Sequence, residues 1–365
     1  MSANSAPASA NVTHEIRLAR AEDEPSITRL LPELDGPSYS ERFPGKTCAD
    51  FIRWKYRSNP AGEAAVAVAL DGDRVVSIVA GTPKRVRVSG EVVLAFELGD
   101  FITAADHRKR GLFSALIELV CETARQRGAA FVYVRPNDVS FPILASRLGF
   151  IEPRKIEMRR YVVPSGVLKR KLGGPGSLVG ALGVDSILRS WVLPKGSAAL
   201  TIDAVNRFGA DMDQLWQHAQ QKYTFGLVRD SQYLNWRYVD CPTPYRVWIT
   251  RRNGVLAGYL VAVTARKQPV ATIIDFFTAP DDEEAASTLL RAALDAMLRV
   301  GIQVVYTWTL QTGAESAASR LLKRACMFVQ KPLLHFAMRP LQGQNLARDL
   351  PSSGWQLTLG DFDGA

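Results

Sequence analysis

An internal repeat constrains this chain more than any other feature. FIRWKYRSNP at Phe51–Pro60 returns as YLNWRYVDCP at Tyr233–Pro242, keeping an aromatic start, Trp, a basic residue, Tyr and a closing Pro. DFITAAD at Asp100–Asp106 returns as DFFTAPD at Asp275–Asp281, and GAAFVYV at Gly128–Val134 as GIQVVYT at Gly301–Thr307. Three matches in one order, at offsets of 182, 175 and 173 residues, describe two copies of one fold. At 365 residues the chain is too long for one ordinary core, and the repeat says where it divides. The expected organisation is a disordered tail over 1–13, a first copy over 14–163, a linker over 164–199, a second copy over 200–340 and a C-terminal tail over 341–365.

The first copy reads as a mixed α/β layer. A strand at Glu15–Leu18 precedes a helix over Glu22–Leu34, with Ile27, Leu30, Leu31 and Leu34 at helical spacing, and a second helical stretch at Phe51–Pro60. Ala64–Leu70 and Arg74–Thr82 form a hairpin about Asp71-Gly72-Asp73, and Lys84–Val88 and Val92–Thr103 pair around Ser89-Gly90. A helix carrying Leu112, Leu116, Leu119, Val120 and Ala124 on one face stops near Gly128, followed by a short apolar strand at Phe131–Val134. Pro136-Asn137-Asp138 breaks the chain before a helix over Phe141–Leu148 that ends at Gly149-Phe150. The order β, α, α, antiparallel meander, then β-turn-α, β, α builds one sheet with helices on it.

Composition narrows the class of protein. Hydrophobic residues make up 47% and charged residues 22%, a globular balance, and the net charge of +9 favours anionic partners. Cys48, Cys121, Cys241 and Cys326 are far apart and show no CxxC pair, as expected of buried thiols in a reducing compartment. The N-terminus lacks a basic, apolar secretory pattern, and no stretch reaches the roughly 18 apolar residues of a membrane span. A soluble, cytoplasmic protein is expected. His14, His107, His218 and His335 make no metal spacing, so no metal is expected, and His107 is read as a solvent-facing loop residue. No GxSxG, Walker A or GxGxxG occurs. Lys169, Arg170 and Lys171 form a basic cluster in the Gly-rich linker, read as a solvated charge cluster, with a membrane-surface or phosphate-binding patch as the alternative.

The stretch Glu97–Ser114 carries the chemistry. Phe101, Ile102 and Thr103 are strand formers, Arg108–Gly111 is a basic turn ending on glycine, and a helix begins directly after it. The free amides of such a helix start, its dipole and the side chains of Arg108, Lys109 and Arg110 suit a pyrophosphate, and Gly111 lets phosphate oxygens approach the backbone. In the second copy, an offset of 175 sets Glu283, Glu284, Ala285 and Ala286 in place of Arg108–Gly111. A carboxylate facing a phosphate at about 4 Å is repelled by several kcal/mol, so the second copy is expected to be degenerate in this role. Trp54, Tyr56, Trp236 and Tyr238 are read as core anchors, because both copies keep them while only one keeps the turn.

The turn resembles the signature of the GNAT (Gcn5-related N-acetyltransferase) superfamily: Arg or Gln, two residues, Gly, one residue, then Gly or Ala, between the fourth strand and third helix. Arg108 and Gly111 match it, while Phe113 stands at the second small position. The element order and the closing Gly149-Phe150 are also those of the family. The resemblance implies an α/β (α+β) fold of two tandem GNAT-like domains, each a mixed, mostly antiparallel twisted sheet flanked by helices. It implies acetyl-CoA or another acyl-CoA as co-substrate and a primary amine of a small molecule, such as an amino sugar, as acceptor, with no DNA partner.

Family geometry lays pantetheine along the backbone of Phe101, Ile102 and Thr103 and rests the pyrophosphate on Arg108, Lys109, Arg110, Gly111, Leu112, Phe113 and Ser114. Asn137 occupies a loosely matching pantetheine position and reads equally as a turn residue. Glu97, eleven residues before Arg108, stands close to the spacing of the glutamate base in histone-acetylating members. Asp100 is the second candidate base, set on the opposite face by strand alternation unless a bulge intervenes. Many members protonate the leaving thiolate with a tyrosine four residues before the closing glycine; that position is Ala145 here, and Tyr133 is the substitute candidate. Two other readings stay open: an aminoacyl-tRNA-dependent transferase of the kind that builds peptidoglycan, to which a pI near 9.5 is suited, and a non-catalytic acyl-CoA-binding regulatory module.

Overall fold

The computed structural model describes residues 13–33, 46–162, 197, 199–265, 268–279, 281–312, 316–326, 328–343 and 350–363. Residues 1–12 of the expected tail, the polar segment at 35–45, nearly all of the linker with its basic cluster, and 344–349 lie outside the described residues.

The first copy runs β1 (Glu15–Leu18), α1 (Glu24–Leu30), α2 (Cys48–Ile52), β2 (Ala65–Asp71), β3 (Arg74–Val88), β4 (Glu91–Thr103), α3 (Leu112–Gln126), β5 (Phe131–Val134), α4 (Phe141–Arg147) and β6 (Ile151–Val162). The second runs β7 (Leu200–Val205), α5 (Asp211–Ala219), β8 (Phe225–Leu227), α6 (Ser231–Leu234), β9 (Arg246–Arg252), β10 (Val255–Thr264), β11 (Val270–Thr278), α7 (Glu283–Arg299), β12 (Val304–Leu310), α8 (Ala317–Ala325) and β13 (Phe328–Pro340). A short β14 (Trp355–Gln356) follows. Two strands expected on either side of Pro83 are one, β3. Proline is tolerated there because β2 pairs only as far as Gly81, so no strand of that flank needs an amide from Pro83.

Twelve of the fourteen described strands follow one another in a single sheet in the order β1-β2-β3-β4-β5-β13-β6-β12-β11-β10-β9-β7, with β8 pairing β3 and β14 pairing β8 beside this path. The order is palindromic under the repeat, and its centre explains why. β13 of the second copy pairs with β5 of the first, and β6 of the first pairs with β12 of the second, so each copy lends its last strand to the other. One apolar core accordingly runs through both halves, with a separate one under α7 and α8.

The repeated Trp segments meet at this centre. A turn of π-helix follows α2 at Arg53–Arg57 and follows α6 at Asn235–Val239. Trp54 Nε1 donates to the carbonyl of Trp236 at 2.7 Å, and Trp236 Nε1 donates to the carbonyl of Trp54 at 2.9 Å. Their rings stack at 5.1 Å and 18°. The same patch faces itself across a pseudo-two-fold axis, the arrangement of a symmetric dimer within one chain. The reading of these residues as core anchors is therefore right.

Candidate active site

β4 positions the site by leaving its neighbour. Its parallel pairing with β5 covers only Ala95–Glu97, so the strands part from Leu98 onward and the β5-facing flank of β4 has no strand partner over Phe101–Thr103. On the other flank the register to β3 slips between Ile78 and Ala80, with an extra residue on β4, and Asp100 takes φ +53°. This is the bulge that alternation alone does not anticipate. It turns Asp100 toward Lys55, whose Nζ lies 2.7 Å from Asp100 Oδ2, and Tyr56 donates to the same oxygen at 2.7 Å. Lys55 also feels Glu97, so both candidate acids face one buried cation. Asp100 is thus held by an ion pair and a phenol.

Glu97 sits where the strands part and is only 4% exposed. Its Oε2 accepts from Thr82 Oγ1 at 3.2 Å and from the backbone amide of Asp363 at 3.0 Å. Burial pushes its carboxyl up, the charge of Asp363 adds to this, and Lys55 and Lys84 only partly offset it, leaving the group at about 8. Asp363 is 3% exposed. Burial would raise it too, but Lys84, Lys55 and Arg237 outweigh burial and hold it at about 2. Lys84 Nζ lies 2.5 Å from Asp363 Oδ1 and 4.6 Å from the centre of the Trp236 ring. An acid protonated near neutral pH thus touches one that stays charged, the kind of splitting expected of a proton-handling site.

The basic turn is open. Arg108, Lys109, Arg110 and Gly111 are exposed, with Lys109 at φ +63° and Gly111 at φ +79° as the N-cap of α3. The first bond into the helix is from Ala115 N to Gly111 O, so the amides of Leu112, Phe113 and Ser114 have no carbonyl to reach within it. Arg108 Nε braces the Thr103 carbonyl at 3.1 Å, fixing the turn to the end of β4. Phe113 packs edge-on against Phe101 at 5.3 Å, so an aromatic pair fills what a small residue would leave open.

The second copy corrects one expectation. Its helix α7 is capped by Asp282, which matches Gly111 at an offset of 171 rather than 175. The four residues His107–Arg110 therefore have no counterpart, so the basic turn is deleted rather than exchanged for acids. The later offset of 173 follows from α7 being 17 residues long against 15 in α3. Asp282 Oδ1 accepts from Ala285 N at 2.9 Å, Glu284 meets Arg252 at 2.5 Å, and Glu283 meets Arg320 at 3.1 Å. The helix start that is open and basic in one copy is closed by the chain's own carboxylates in the other.

Several other expectations change. Tyr133 is buried, and its hydroxyl donates to the Asp361 carbonyl at 3.0 Å. Asn137 Oδ1 accepts from Val139 N, Ser140 N and Ser140 Oγ, so its side-chain carbonyl is spent on the turn before α4. His107 is buried rather than solvent-facing, because a 3-10 turn at Ala105–His107 brings its ring to His14, with Nδ1 2.8 Å from His14 Nε2. Lys84, Asp361, Asp363 and Arg229 were not found from sequence. The tail lies 266 residues from Glu97 along the chain and has no repeat partner to flag it. Only Lys55 and Arg237, the basic residue kept in both repeated segments, left a signal.

Residues 15–150 match the model of an acetyltransferase (GNAT) domain. No curated protein matches the chain by sequence. Among solved structures, a probable N-acyltransferase of unknown function from Enterococcus faecalis V583 is similar at 13% identity and TM-score 0.62, covering 93% of this chain and 75% of that one. A tandem GNAT protein from the clavulanic acid biosynthesis pathway matches at 16% identity and TM-score 0.56, covering 91% of this chain and 100% of that one. N-myristoyltransferase from Saccharomyces cerevisiae with bound myristoyl-CoA matches at 11% identity and TM-score 0.57, covering 97% and 87%. At such identities the likeness establishes the fold.

Proposed function

We propose, from the premise that residues 15–150 are a GNAT acetyltransferase domain and that the chain has the tandem GNAT fold, that this protein is an acyl-CoA-dependent N-acyltransferase. It passes an acetyl or other short acyl group directly to a primary amine of a small molecule, amino sugars included. In this reading 14–163 is the catalytic copy and 200–340 the degenerate one. The observation that carries it is the pairing, in one copy only, of an open basic helix start with a parted β4 that has a buried carboxylate at its fork.

The bound co-substrate supplies a thioester; the residues do the rest. Arg108, Lys109, Arg110 and the amides at the start of α3 hold the pyrophosphate, and the β4 flank that lacks a strand partner over Phe101–Thr103 pairs with the pantetheine amides. Glu97 accepts a proton from the attacking amine, directly or through one water. As the C–N bond forms the C–S bond breaks, and the sulfur leaves as thiolate. An ordinary thiol ionises near 8.5, so this exit does without an acid at Ala145. With Glu97 at about 8, turnover rises with pH through that value, since only the carboxylate accepts the proton.

Titration calorimetry with coenzyme A tests the assignment. Arg108→Glu and Gly111→Glu are expected to abolish binding and Glu283→Ala to leave it intact. Undiminished binding in the first two contradicts the reading. The burial of Glu97 beneath Asp363 favours one competitor, an acyl-CoA-binding regulatory module. Steady thiol release with an amine panel, lost in Glu97→Gln, excludes it.

A further inference from the structure

The C-terminal segment Trp355–Asp363 lies between the two copies, and the second copy grips it. Trp355 stacks on Phe225 at 4.1 Å. Arg229 Nη2 donates to both carboxylate oxygens of Asp361, at 2.7 and 3.0 Å. Arg237 donates to the carbonyls of Gly360 at 3.0 Å and Phe362 at 2.9 Å. Asp275, the counterpart of Asp100, accepts from Thr358 Oγ1 at 3.0 Å. Gly360 passes so close to Tyr238 that an added Cβ would fall 1.9 Å from the phenol oxygen. Past these anchors, the Asp363 amide reaches Glu97, and its carboxylate takes Lys84 Nζ and, at 2.8 Å, the Thr82 hydroxyl that also serves Glu97.

We infer that Asp363 is a positioning residue for Glu97: the copy that lost the basic turn holds the C-terminal segment so that Asp363 orients the acid of the other copy. The inference rests on Glu97 being the base. Asp363 acts on it in two ways. Its amide selects the orientation of the Glu97 carboxyl, and its carboxylate keeps Lys84 engaged so that this cation does not pair with Glu97 instead. The charged and titratable groups facing Glu97 are Lys55 from the π-helical turn, Lys84 from β3, Tyr133 from β5 and Asp363 itself, with Asp100 and Arg237 behind them.

The test follows Glu97 in the full-length protein by NMR, with glutamate isotopically labelled at its side-chain carboxyl and the resonance assigned by its loss in Glu97→Gln. In Asp363→Asn the titration midpoint of Glu97 is expected to fall by about one pH unit or more, because a neighbouring anion is gone and Lys84 is released toward it. In Lys84→Met the midpoint is expected to rise, because a neighbouring cation is gone. Mere loosening of the segment would admit water and lower both. A midpoint unmoved in Asp363→Asn, or falling in both variants, overturns the inference. Thiol release from acetyl-CoA with amines separates the two ideas: if Glu97→Gln still turns over while the opposed shifts are seen, the assignment of Glu97 as base fails and its positioning by Asp363 stands.

Discussion

The burial of Glu97 makes a prediction about stability that needs no acceptor. In the unfolded chain this carboxyl ionises near 4.5, and in the fold it holds its proton until about 8. Its folded-state value is raised, so between those two pH values the native state binds a proton that the unfolded state has released. Stability then falls as pH rises, by about 1.4 kcal/mol per unit. Across the window this amounts to about 5 kcal/mol, all of it absent below pH 4. Replacement by Gln removes the titration while keeping shape and an oxygen acceptor. Urea denaturation of wild type and Glu97→Gln is expected to give a stability difference that is flat below pH 4, moves steadily in favour of the variant from 4.5 to 8, and is flat again at 9. Measuring both proteins at each pH cancels the other titrating groups. A difference that does not change between pH 5 and 8 refutes the reasoning, since it means that Glu97 ionises as freely in the fold as in the unfolded chain.

Two further outcomes follow from the central contacts. Gly360→Ala places a methyl against a phenol that is locked to Asp275 at 2.9 Å, so overpacking is expected to cost roughly 1–3 kcal/mol and to shift Trp355 fluorescence to the red as the segment lifts. Unchanged stability and emission count against the docked segment. Trp54→Phe and Trp236→Phe each strip the donor from a buried carbonyl, at a cost of about 1–3 kcal/mol in chemical denaturation. The pseudo-two-fold requires the two losses to agree; a large loss at one position with none at the other speaks against it.

Much of the architecture is legible locally. The strand at Glu15–Leu18 is read to the residue, and the hairpin at Asp71-Gly72-Asp73, the helix after Gly111 and the apolar strand at Phe131–Val134 follow from period and turn chemistry. Those signals sit within a few residues of one another, and the physics behind them is equally short-ranged. Glu97 and the basic turn are legible for the same reason, lying on a strand, a turn and a helix that are contiguous. The bulge at Asp100 is not, because one extra residue in β4 is visible only against the register of β3. Nor is the fate of the second turn, since aligning the copies by offset cannot distinguish acids that replace a loop from a loop that is gone.

By itself, then, the sequence determined that the chain holds two related α/β copies and that one of them keeps an exposed basic turn at a helix start. Only the tertiary structure decided that the copies exchange their last strands, that Trp54 and Trp236 bond to each other, and that Asp363 comes to rest on Glu97. Those contacts join residues 182 and 266 positions apart. No periodicity spans such distances. They form because burying charged and aromatic groups is favourable only where partners from both copies arrive together, and that is a property of the assembled core rather than of any stretch of chain.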